Sequence, residues 1–418
     1  PPKVQWADLL LRPVHNSENL DSDVRKILAD VKIRGNKAVE EYCLQFDHAN
    51  FSGCPVTINE IDASENELSE ALKDAIRQAK TNIEKFHRDQ VVSEPVSEIH
   101  PGINCWRKTV AIEKVGLYIP GGTAPLFSTL LMLGVPAMLA GCEEIIICTP
   151  PVKDGSIHPA ILFTAKLIGI QKIYGVGGVQ AIAAMAYGTE SMPTVYKIFG
   201  PGNQYVTHAK KIIQQEGIAI DMPAGPSELA VYADETAKPP FVAADLLSQS
   251  EHGPDSQVIL VTTSRIIASD VIKELVSQIE KLPRKLIAMK ALENSKIFLM
   301  SDRDSSMDLL NTYAPEHLIL ACSDAEGLAA KVRNAGSVFI GHFSPESAGD
   351  YASGTNHTLP TNGFAKAYSG VSLESFVKKI SFQQLTREGL RSIGNTVIEM
   401  AYTEGLHAHA SAIKMRLL

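Results

Sequence analysis

The stretch Lys172-Ile-Tyr174-Gly175-Val176-Gly177-Gly178-Val-Gln180 decides the fold. A short strand-like run ends in a glycine cluster, and an alanine-rich helical run begins at Gln180. Strand, glycine turn and helix in succession make half of a βαβ unit, which implies a parallel sheet. The same texture lies on both sides. Val115–Ile119, Glu144–Thr149 and Lys197–Ile198 read as strands, with helices from Pro159 and Asn203. Two more glycine turns, Pro120-Gly121-Gly122 and Gly200-Pro201-Gly202-Asn203, punctuate the strand ends.

The pattern restarts near residue 228. Leu229–Ala233, Gln257–Thr262, Lys296–Met300, His317–Ala321 and Ser337–Ile340 read as strands, with helices at Phe241–Ser250 and Ile266–Lys281. Two successive α/β units predict a pseudo-repeat with a cleft between its halves, and ligands are expected at the carboxyl ends of the strands near a switch point. Upstream, residues 1–100 read as helical, over Asp21–Phe46 and Glu65–Phe86. Ser64 with Glu67 resembles a capping box for the second helix. This region is expected to be a scaffold or dimer arm. After Thr361 the pattern is mixed and ends in a helical tail.

A chain of 418 residues exceeds one ordinary core, and 45% apolar with 21% charged residues is normal for a globular protein. A net charge of −8 without a basic block gives no general field for nucleic acid. The longest apolar stretch, Leu126–Ala140, is broken by Gly134 and Pro136 and is too short to span a bilayer. The six cysteines, Cys43, Cys54, Cys105, Cys142, Cys148 and Cys322, form no C-x-x-C pair and suit a reducing compartment. The chain begins Pro1-Pro2 without Met, which fits a cleaved transit segment or a trimmed sequence.

Several segments carry groups suited to chemistry. The Gly175–Gln180 turn could receive a phosphate at a helix N-terminus, but Gln180 stands where the dinucleotide fingerprint has its third glycine, so a plain strand-to-helix turn reads equally well. Asn203 could be a helix cap and no more. Gln249 and His252 face one side of a helix end and could ligate a metal, or simply form a polar terminus. Glu316-His317, just before a strand, offers a carboxylate and an imidazole for proton transfer. The segment Glu346–His357 reads as a long polar loop, with Asp350 a plausible cation ligand and His357 a plausible substrate contact. His407-Ala-His409 follows Glu404 near the end. No Walker A, H-E-x-x-H or G-x-S-x-G motif is present.

Taken together, these segments resemble the histidinol dehydrogenase family over about Val115 to His409. The landmarks are Gly116-Leu-Tyr118-Ile-Pro120-Gly121-Gly122, Gly175–Gln180, Gly200–Asn203, Asp221–Glu228, Leu247–Gly253, Ala314–Leu318, Ser347–Tyr351, Gly354–His357 and Glu404-Gly-Leu. The resemblance implies oxidation of L-histidinol through L-histidinaldehyde to L-histidine with two NAD, the last steps of histidine biosynthesis. It implies one zinc per subunit on Gln249, His252, Asp350 and His409, the last donated across a homodimer. Zinc would hold the substrate amine and imidazole. His317 would be the base for the alcohol and Glu316 the base for water. Ser227, His357 and Glu404 would contact substrate, together with Gln249, His252, His317, Asp350 and His409. Tyr118, Gln180 and Asn203 would contact NAD.

The expected architecture is therefore α/β: two successive incomplete Rossmann-like parallel-sheet units in an intertwined dimer. A helical region spans 1–110, the first unit with the NAD contacts 111–227, and the second with the metal and catalytic residues 228–362. A helical tail, 363–418, reaches the partner's site. No nucleic acid or membrane partner is expected. The missing Met favours a plant-type member in the chloroplast stroma over a cytoplasmic one. Two rivals remain: an aldehyde dehydrogenase-type enzyme with a cysteine nucleophile, against which the cysteines lie at apolar strands, and a metal- or nucleotide-binding module without turnover.

Overall fold

The computed structural model describes residues 1–13, 19–91, 94–121, 125–152, 154–223 and 225–418. Gly122 and Ala224, members of two landmarks above, lie outside the described residues. In chain order the strands are β1 Ser97–His100, β2 Ile103–Ala111, β3 Lys114–Tyr118, β4 Glu144–Thr149, β5 Lys172–Gly175, β6 Lys197–Phe199, β7 Ala219–Ile220, β8 Glu228–Ala233, β9 Gln257–Thr262, β10 Lys296–Leu299, β11 His317–Ala321, β12 Ser337–Ile340 and β13 Val377–Leu385.

Two parallel sheets have the same plan. The first runs β5-β4-β3-β6-β7 and the second β10-β9-β8-β11-β12. In each, the first strand in sequence lies at the centre and the chain winds outward on one side, then on the other. The buried, β-branched runs Glu144–Thr149 and Gln257–Thr262 explain the strand choice, because a sheet covered on both faces selects near-continuous apolar strands.

The N-terminal helices are cover for the first sheet. Leu20–Arg34 contributes Val24, Ile27, Leu28 and Val31 to one core, shared with the helix Gly178–Tyr187. Glu70–Arg88 contributes Ile76 and Ile83 to the other, against the helix Phe127–Ala140. Trp6 and Leu10 instead join the core of the second unit. The helix expected over Glu65–Phe86 begins later, at Glu70, where Ser69 Oγ accepts from Leu72 N. Ser64 opens a short 3₁₀ turn, and the capping box belongs to Thr57 and Glu60, which start Ile58–Ala63. Asp21–Phe46, expected as one helix, is broken at Gly35, whose φ of 56° ends the first segment.

The expected helical regions also carry a sheet. β1, β2 and β13 form an antiparallel three-stranded sheet joining residues 97–111 to the C-terminal part. Trp106 and Phe382 are direct register partners with stacked rings 5.5 Å apart. After β13 come the helices Arg387–Thr403 and His407–Leu417, which pack together on Ile398, Ala401 and Ala410. Among the described residues, no helix is long and apolar enough to cross a membrane.

Candidate active site

The amino edge of the second sheet gathers the polar groups. The helix Arg303–Tyr313 ends at Ala314, which takes a left-handed φ of 53°. Arg12 clasps this corner by donating to the Tyr313 carbonyl at 2.7 Å while pairing with the buried carboxylate of Glu228. The chain then delivers Glu316 and His317 into β11, between β8 and β12. Both residues thus stand at the start of β11, where the sequence reading placed them. Helices of α/β units return to the amino edge, and here two helices, Pro239–Ser250 and Glu346–Tyr351, bring Gln249 and Asp350 there.

Glu316 is buried, and its Oε2 accepts from the Glu228 backbone N–H at 2.8 Å. Burial pushes its pKa up to about 8 against the pull of His317. His317 is 3% exposed. Its Nδ1 lies 3.2 Å from the Glu228 carbonyl, so Nδ1–H donates there and the neutral tautomer presents a free lone pair on Nε2. That Nε2 faces Asp350 Oδ1 at 3.5 Å. Burial alone would lower His317, but Glu316 and Asp350 outweigh it and bring the imidazole up to about 10. Asp350, though desolvated, is held below the usual carboxylate range by His317.

Among the described residues, three buried atoms in this cluster have no hydrogen-bond partner: Gln249 Oε1, His317 Nε2 and Asp350 Oδ1. Such atoms are costly unless a ligand completes them. Ligand atoms of His317, Glu346 and Asp350 lie within 4.8 Å of one another. Oxygen and imidazole donors around a buried carboxylate oxygen that accepts no hydrogen bond from the described residues suit a divalent cation. His252 sits just past the end of the Gln249 helix, with an open face to solvent. Crowding by the surrounding protein holds it below its usual range, while Asp350 pulls it up.

Glu346 was not singled out in the sequence, because Glu346–His357 reads as a loop. Its first part is a helix, and Glu346 and Asp350 share one face at i, i+4 spacing. His357 has both ring nitrogens engaged, with the Asp350 carbonyl at 2.9 Å and Thr129 Oγ1 at 3.2 Å. It thereby ties the cluster to the first unit. Ser227 is half-buried directly before Glu228. Glu404 and His409 are exposed on the C-terminal helical pair. Among the described residues, no hydrogen bond or ion pair joins either to the cluster.

The residues expected at NAD lie on the carboxyl edge of the first sheet. Tyr118 Oη accepts from Gly178 N at 3.1 Å, and Asp47 accepts from Gly177 N and Gln180 Nε2, both at 3.2 Å. Tyr118 and Gln180 are buried. The N–H donors of Gly177 and Gly178 are thus already engaged within the chain. The neighbouring Gly200–Asn203 turn is more open, with Asn203 Oδ1 capping the helix Gln204–Gln215. Cys142 and Cys322 are buried, and burial pushes both thiols up to about 11, which argues against a thiolate nucleophile there.

Comparison with known proteins gives concordant matches. A family model described as histidinol dehydrogenase matches residues 10–417. A histidinol dehydrogenase of Bacteroides thetaiotaomicron is 58% identical over 417 residues, covering 100% of this chain and 97% of the relative. One from Yersinia pestis is 49% identical, covering 99% and 93%. A crystal structure of histidinol dehydrogenase from Elizabethkingia anophelis superposes with a TM-score of 0.97 at 53% identity, covering 100% of this chain and 96% of that one. These relatives are bacterial. The plant-type, chloroplast reading, which rested on the absent Met, finds no support in them.

Proposed function

Because the chain belongs to the histidinol dehydrogenase family, we propose that it oxidises L-histidinol to L-histidine through L-histidinaldehyde, passing one hydride to each of two NAD in turn. The observation that carries this reading is the buried Glu316–His317 pair beside the unpartnered atoms of Gln249 and Asp350.

His317 Nε2 takes the hydroxyl proton as the carbinol carbon loses hydride to the first NAD, giving the aldehyde. Its Nδ1–H bond to the Glu228 carbonyl leaves Nε2 as the nitrogen that accepts the proton. Glu316 takes a proton from water as the water oxygen adds to the aldehyde carbon. The resulting hydrate loses hydride to the second NAD and leaves the acid. Each oxidation releases one proton beside NADH. Both bases are buried, which limits the access of bulk water to the reacting carbon. NAD, consumed as a second substrate, is assigned to the carboxyl edge of the first sheet near Tyr118, Gln180 and Asn203.

Gln249, His252 and Asp350 would hold zinc, with His409 of a second copy completing it. The exposure of His409 and Glu404 in one chain favours a shared site. Bound zinc would supply positive charge that offsets the carboxylates and would hold the substrate's amine and imidazole. Ser227, His357 and Glu404 line the substrate. Removing metal with a chelator should abolish NADH formation from L-histidinol, and returning zinc should restore it. Full activity of verified metal-free protein would overturn the metal assignment.

A further inference from the structure

We propose that Glu346 is a positioning residue for the metal: it fixes the Gln249 amide so that oxygen, not nitrogen, faces the cation. The inference rests on the zinc reading above and adds a residue to it. Glu346 is 1% exposed, as is Gln249. Glu346 Oε1 accepts from Gln249 Nε2 at 2.6 Å, and Oε2 accepts from Ser248 Oγ at 2.6 Å. Gln249 Oε1 is left buried with no partner among the described residues.

The two ends of an amide are nearly equal in size and opposite in chemistry. The –NH₂ end donates and has no lone pair for a metal, whereas the oxygen has two. A carboxylate only accepts, so it selects the orientation in which nitrogen turns toward Glu346 and oxygen away. Glu346 lies close enough to His317 and Asp350 to be considered a ligand itself. Its two oxygens are already engaged, while Asp350 Oδ1 and Gln249 Oε1 are not. The geometry therefore assigns Glu346 to the support of Gln249.

The test is zinc affinity of the full-length protein, measured by competition with a chromophoric chelator. Glu346→Ala and the volume-conserving Glu346→Met remove the acceptor; far-ultraviolet circular dichroism and melting confirm folding, and Glu346→Met serves if the alanine variant fails to fold. Both should weaken zinc binding by about 10–100-fold, the usual effect of losing an outer-sphere partner. The decisive background is Gln249→Glu, whose carboxylate offers an oxygen whichever way it turns. There, removing Glu346 should cause no comparable loss. An equal loss in both backgrounds would mean Glu346 acts on the metal directly and would overturn the proposal, as would unchanged affinity in the single variants. Absence of zinc binding by the unaltered protein would overturn the metal reading itself, a result distinct from either.

Discussion

At the scale of single residues, the role proposed for His317 rests on what surrounds it. The Glu228 carbonyl fixes its tautomer, Asp350 faces the free nitrogen, and Glu316 stands beside Nδ1 at 3.6 Å. His317→Asn keeps a polar side chain but removes the proton acceptor. The proposed roles predict a loss of roughly 10²–10⁴-fold in alcohol oxidation, the usual worth of a general base. Oxidation of added L-histidinaldehyde should suffer less, and single-turnover NADH formation from each substrate measures the split; equal losses would contradict it. The Glu316-His317 dipeptide and Asp350 were legible as candidates because each stands out chemically from its neighbours. Glu346 was not: its signal is helical i, i+4 spacing with Asp350, in a glycine- and serine-rich segment that reads as a loop. Asp47 was equally hidden, since nothing local ties it to the glycine turn it fills.

At the scale of elements, the parallel sheets were legible because each strand is a compact apolar run closed by turn residues. β2 and β13 were not. β13 shows an almost wholly exposed pattern, and its partner is far away in sequence, so no local periodicity announces the pairing. The helix Glu70–Arg88 illustrates how elements lock together. His87, fully buried near its end, donates from Nδ1 to the Ile83 carbonyl at 2.8 Å and accepts at Nε2 from Asn356 Nδ2 at 3.3 Å. That junction leads directly to His357. Burial lowers the His87 pKa, so the folded chain keeps it neutral where the unfolded chain would protonate it. The unfolded state then binds more protons, and stability falls as pH drops below about 6.5. No such contribution changes above that pH. Melting temperature measured from pH 7 to pH 5 should fall less steeply in His87→Gln than in the unaltered protein. Equal slopes would mean His87 does not titrate on unfolding.

At the scale of the whole molecule, two like-ordered sheets belong to units joined by the Thr129–His357 contact. The pseudo-repeat was readable from the restart near residue 228. The distribution of the N-terminal helices over both faces of the first sheet was not, because amphipathic spacing says that a face is buried but not against what. The C-terminal helical pair has a small core of its own and exposes Glu404 and His409. If a second copy receives them, two differently broken sites can be repaired by mixing. Inactive Gln249→Ala and inactive His409→Ala proteins, mixed under conditions that permit subunit exchange, should recover part of the activity through hybrid dimers with one intact site. Verified exchange without recovery would place the whole site in one chain.

The most direct test of the central claim is the amount of NADH formed from limiting L-histidinol with NAD in excess and zinc-loaded protein. The account predicts two NADH for each L-histidinol consumed, with L-histidine as the product. One NADH with accumulating aldehyde, or none at all, would contradict it.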